Sequence, residues 1–201
     1  MIFSFIILDL VFLISSIIYS INTYGINYPY KFLCGICPLT LLSFIQMIFI
    51  SFFTLNIFFL RAKISSFSYI LWALISLGFF YLALDEIFRM HDFINQIIFR
   101  DSAKLSVLMY ATVGVFIFFL FKKEILRFKS SLLFLLSGGF FVLLSIFLDL
   151  TSRNPWSQVC EESFEVFAGT LFLIGFYNCY KSIPYIQRTN LKFNLFYNPF
   201  S

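Results

Sequence analysis

Leu84-Asp85-Glu86-Ile87-Phe88-Arg89-Met90-His91-Asp92 closes an apolar run that begins near residue 67, and the reading of that run decides the fold. About 20 apolar residues cross a bilayer as one helix, and this run is that long. Charge at the end of such a helix is costly in lipid, so these side chains are expected to face a bundle interior and mark a functional site. A second knot, Glu161-Glu162-Ser163-Phe164-Glu165, stands at the edge of the last apolar run.

Composition agrees with the membrane reading. Of the 201 residues, 61% are hydrophobic and only 12% are charged. Soluble domains carry about 25% charged residues, and the mean hydropathy of this chain is +0.93. The net charge of +4 is modest, with the basic residues grouped in short loops. That grouping points to membrane topology and away from nucleic acid. The 32 phenylalanines carry no functional reading.

Six apolar runs follow, at about 1–21, 39–60, 67–90, 105–121, 132–150 and 162–180. The first lacks the basic start and small-residue cleavage site of a signal peptide, so it reads as a retained helix. The expected fold is therefore all-α, an integral membrane bundle of about six transmembrane helices occupying residues 1–181. Residues 182–201, rich in aromatics, are expected to lie in the interface.

With six spans, one side of the membrane holds nine lysines and arginines, between 61 and 63, 122 and 129, and 181 and 192. The other holds four: Lys31, Arg100, Lys104 and Arg153. Both termini are then expected in the cytoplasm. Asp85, Glu86, Asp92, Asp149, Glu161, Glu162 and Glu165, seven of the ten acids, gather at the outer face. This convergence depends only on helix count and survives an inverted orientation.

Helical spacing sharpens the picture. At about 100° per residue, Asp85, Arg89 and Asp92 fall within about 60° of one another, and the three glutamates within about 100°. Ser145 and Asp149, four apart, share a face. First-turn capping would account for Glu161 and Glu162, but not for acids at helix C-termini, where the dipole disfavours negative charge. Arg89 is expected to pair with Asp85. The expected catalytic residues are Asp85, Glu86, Asp149, Glu162 and Glu165, with His91 and Asp92 as metal ligands.

The pattern Asp85-Glu86-x4-His91-Asp92, followed by Glu161-Glu162-x2-Glu165, resembles a group of uncharacterised bacterial polytopic membrane proteins. Their motifs read approximately L-D-E-x4-H-E and E-E-x2-E-x2-G. The resemblance covers the third helix and the fifth-to-sixth region, under half the chain. Asp92 replaces the group's Glu, and Ala168 stands where Gly is expected. It implies a bacterial inner-membrane protein and a site at these residues, without an activity.

Three chemistries suit such a site. Ser145-x3-Asp149 with His91 resembles, faintly, the ceramidase-like membrane hydrolases, which implies metal-assisted hydrolysis of a lipid or amide. With a single histidine in the chain, carboxylates would supply the other ligands, favouring Mg²⁺, Ca²⁺ or Mn²⁺ over zinc. Proton or cation translocation is the second, and a purely structural polar cluster the third.

Cys34-Gly35-Ile36-Cys37 offers a separate reading, since C-x-x-C brings two thiols within disulfide reach. It looks like the quinone-linked disulfide-forming membrane oxidoreductases, which need a second cysteine pair on the same face. Only Cys160 is placed to serve; Cys34, Cys37, Cys160 and His91 as a zinc site is a further alternative. Asp9, in the middle of the first run, is expected to face the bundle near Ser15, Ser16 or a neighbouring helix's hydroxyl.

Overall fold

Our computed structural model describes residues 2–24, 38–62, 69–88, 90, 93–94, 105–151 and 155–197. Among them the chain is helical and holds seven helices: α1 (Ile2–Tyr24), α2 (Pro38–Ala62), α3 (Tyr69–Phe88), α4 (Leu105–Leu120), α5 (Lys122–Ile125), α6 (Lys129–Thr151) and α7 (Pro155–Tyr197). Thr40–Ala62, Tyr69–Phe88 and Lys129–Leu148 are long and apolar enough to cross a membrane. Asp9–Thr23 and Leu108–Leu120 are shorter apolar stretches. Over their described residues all six apolar runs are helical, and α5 is a single turn between the fourth and the fifth.

α7 is the element around which the others pack: it contacts α6, α2 and α1, while α2 also pairs with α3. One cluster joins Ile50 and Ile57 of α2, Leu71 and Trp72 of α3, Phe128, and Phe176 and Cys179 of α7. A smaller one sets Leu13 of α1 against Val159 and Val166 of α7. Large apolar side chains also point outward, including Phe116, Phe119, Leu133 and Phe140. An outer shell of that kind is what lipid accommodates and water does not.

In an apolar surround the hydrophobic effect does not distinguish one helix pairing from another, so close approach and interhelical hydrogen bonds do. Ser51 and Ser76 bond reciprocally, each hydroxyl donating to the other's carbonyl at 2.9 Å, and so tie α2 to α3. Between α6 and α7, Gly175 lets Leu135 approach so closely that a Cβ would stand 2.7 Å from its side chain.

The structure departs from the sequence expectations in one place. α7 begins at Pro155, inside the stretch read as a polar loop, because proline's fixed φ suits the first helical position. The same helix continues through Pro184 to Tyr197, so the aromatic tail is a helical continuation of the last run.

Candidate functional site: an acid-ended cavity

The early start of α7 changes the meaning of its glutamates. Glu161 is the seventh residue of the helix, and no acid occupies the first turn. Its amide already has an intrahelical partner, so dipole capping does not account for Glu161, Glu162 or Glu165. On α3, Asp85 and Glu86 occupy the last turn, where the dipole disfavours them, and Asp85 is buried nonetheless.

These acids meet on the wall of one cavity. Asp85 and Glu86 enter from α3, Ser145 from α6, and Glu161, Glu162 and Glu165 from α7. Ser145 Oγ donates to Glu165 Oε1 at 2.9 Å, which fixes α6 to α7 at this end. Each of the five carboxylates has hydrogen-bonding or electrostatic partners, so none stands bare.

Away from the acids the wall is mostly apolar, with Ile75, Phe79, Phe118, Phe172 and Phe176 and with Gln46 as a polar exception, and it reaches Trp72 at the far end. From Trp72 to Asp85 is 13 residues of one helix, roughly 20 Å. The cavity volume is about 1240 Å³. Ordinary small-molecule pockets span about 300–1,000 Å³, so this one suits a larger, elongated occupant. α4 closes one side and is tethered to α3 by Tyr81 Oη and Tyr110 Oη, 2.7 Å apart, with their rings edge to face. Leu136, Phe140 and Leu143 line the cavity and are exposed, so the cavity is open and not enclosed.

Other residues singled out in the sequence fall elsewhere. Asp149 lies in the last turn of α6, with its side chain outside the described set. Arg89, His91, Asp92, Cys34 and Cys37 lie outside the described residues altogether. Among the described residues, no group of three or more His, Cys, Asp or Glu is placed to hold a metal ion. Cys160 is an exposed free thiol and Cys179 a buried one. Nineteen residues of one helix separate them, roughly 28 Å, so the two do not form a pair.

One cluster escaped the sequence reading. Glu124, only 3% exposed, accepts from Arg61 at 2.7 Å and from Arg127 at 2.9 Å, with Trp72 Nε1 3.4 Å away. This knot joins α2, α3 and α5 at the cavity end opposite the acids. Its only signal in the sequence is a lone acid in the basic segment Lys122-Lys123-Glu124-Ile125-Leu126-Arg127, which reads as solvated loop. For Asp9 the structure selects, among the expected partners, the hydroxyl of a neighbouring helix, Thr170 of α7. Ser15 and Ser16, the alternatives within α1, bond instead to the Phe12 carbonyl.

The fold and this site define a class: an all-helical bundle with membrane-length helices around an acid-ended, open cavity. Within that class the chain belongs to the family DUF8692, a domain of unknown function, whose model matches residues 31–179. The match takes in α2 to α6 and α7 as far as Cys179, and so every described wall of the cavity. No curated protein and no solved structure matches the chain.

Proposed function

We propose that this protein is an integral membrane protein of hydrolase-like type that draws an amphiphile from the surrounding lipid into the cavity. The apolar length takes the tail, and the head rests among Asp85, Glu86, Glu161, Glu162 and Glu165. The observation that carries the reading is the continuity of one cavity from a five-carboxylate end to an apolar end roughly 20 Å away.

The reaction is metal- or proton-dependent. Paired carboxylates in an apolar pocket can hold different protonation states, so that one donates a proton while its neighbour accepts one. A divalent cation, Mg²⁺, Ca²⁺ or Mn²⁺, would draw on the same carboxylates together with Asp149, His91 and Asp92 and would activate water. In this reading both termini lie in the cytoplasm and the acidic end at the outer face of a bacterial inner membrane; the nine-to-four distribution of basic residues supports the orientation.

The test combines mass spectrometry of amphiphiles retained by the protein purified in detergent with elemental analysis of the same sample. Retention of a long-chain molecule, lost in a Phe79→Glu variant that stays folded, supports the reading. A stoichiometric divalent ion selects the metal-dependent form. A cavity that retains no amphiphile in any preparation would overturn it. The thiol-disulfide alternative requires redox activity at Cys34 and Cys37, and the separation of Cys160 from Cys179 speaks against a second pair.

A further inference from the structure

A second polar site sits behind the cavity wall, away from the acidic end. Asp9 of α1 is 2% exposed. Thr170 Oγ1 of α7 donates to Asp9 Oδ2. Gln46 Nε2 of α2 donates to Thr170 Oγ1 at 2.9 Å and reaches Asp9 Oδ1 at 3.5 Å. Gln46 is itself 5% exposed, and its Oε1 has no hydrogen-bond partner among the described residues. A Cβ at Gly169 would collide with that oxygen, so the absence of a side chain at 169 is what admits the amide. Gln46 and Gly169 line the cavity, whereas Asp9 and Thr170 do not.

Charge around Asp9 is sparse. From α2 and α7 the groups that face it are Gln46 and Thr170, both neutral, and no cation among the described residues pairs with it. The nearest carboxylates along α7 are Glu165 and Glu162, five and eight residues before Thr170. Along α2 the next is Arg61, roughly 22 Å further on and already held by Glu124. A carboxylate without a cation in an apolar interior is strongly disfavoured unless it takes up a proton.

The three side chains accommodate either state. With Asp9 ionised, the Thr170 hydroxyl and the Gln46 amide both donate toward it. With Asp9 protonated, its O–H donates to Thr170 Oγ1. The threonine proton then turns to the Val166 carbonyl four residues back, a bond that helical threonines make. Gln46 donates to Thr170 in both states. One proton is gained or lost at Asp9, exchanged with water at the cavity wall, and no other covalent change occurs.

We propose that Asp9 is a reversible proton-binding site, one side chain behind the cavity wall and linked to the cavity through Gln46. This is a site apart from the acidic end, and its variants leave Asp85, Glu86, Glu161, Glu162 and Glu165 intact. Failure here therefore leaves the hydrolase-like reading standing, and the reverse also holds.

The test is infrared difference spectroscopy of the full chain in lipid nanodiscs, with aspartate labelled at the carboxyl carbon, across a pH series. A protonated-carboxyl band should lose intensity as pH rises and be missing from Asp9→Asn. Thr170→Val and Gln46→Leu each remove a donor to the ionised form, so each should move the midpoint upward, by about one pH unit. Should Asp9→Asn fail to fold, the displacement in Thr170→Val identifies the band in otherwise native protein. An Asp9 band constant across the series overturns reversible binding. A midpoint unmoved by Gln46→Leu overturns the link to the cavity.

Discussion

Ser145 and Glu165 are 20 residues apart in sequence, yet the serine hydroxyl donates to the glutamate carboxylate at 2.9 Å across the α6–α7 interface. Ser145 is buried while Glu165 is exposed. The bond thus orients a carboxylate at the cavity mouth from a fixed point inside. Ser145→Ala should lower stability by only about 1 kcal/mol, the net worth of such a bond. It should nonetheless weaken amphiphile retention or turnover more than that stability loss accounts for. Unchanged retention in the folded variant would remove Ser145 from the site.

If the acids carry the chemistry, Glu162→Gln and Asp85→Asn should abolish turnover of the retained amphiphile while the protein stays folded in the membrane. Neutralising one of several crowded carboxylates relieves repulsion, so folding should survive. Cys34→Ser with Cys37→Ser should be tolerated, at most at the few kcal/mol typical of a lost disulfide. Inactive serine variants beside active carboxamide variants would reverse the ranking in favour of thiol chemistry.

Glu124 should be the most sensitive acid for stability. Glu124→Ala leaves Arg61 buried without its counter-charge, a change that typically costs about 3–5 kcal/mol. The loss should appear as a lower Tm for the detergent-solubilised protein, and Arg61→Leu in the same chain should recover part of it. No recovery in the double variant would mean that the two charges are not coupled.

The glycines offer a matched comparison. Gly175→Ala and Gly169→Ala should destabilise, since their added carbons meet Leu135 and Gln46. Gly139→Ala, with nothing within 4 Å of its added carbon, should be neutral or stabilise by about 0.5–1 kcal/mol through helix propensity. Thermal melts of the three variants decide. Equal effects would mean that helix packing at 169 and 175 is looser than these close approaches imply.

Topology is open to a direct check. A reporter fused after Lys129 should be cytoplasmic and one fused after Asn154 external, following the excess of basic residues. The reverse pattern would carry the acidic end of the cavity to the cytoplasmic side.

Much of this architecture is legible in the chain itself. Apolar length and charge are local properties, so the helices can be read off, and helix count alone brings the C-terminal end of α3 and the start of α7 to one face. That is why Asp85, Glu86, Glu162 and Glu165 read as one site. The start of α7 is not legible in the same way, because Thr151 to Cys160 is polar and a proline there suits a turn as well as a first helical residue. With the start at Pro155, capping no longer accounts for the glutamates.

What the sequence by itself determined is the set of long apolar helices and the end of the bundle at which most of its acids lie. What only the tertiary structure decided is which faces meet: Ser145 with Glu165, Glu124 with Arg61, and Asp9 with Thr170, 161 residues away. The reason lies in the surround. A helix in water shows its buried face by a stripe of apolar residues, whereas a helix in an apolar medium can be apolar all round. The pairing is then left to a few polar and small side chains, whose partners no periodicity along one helix can reveal.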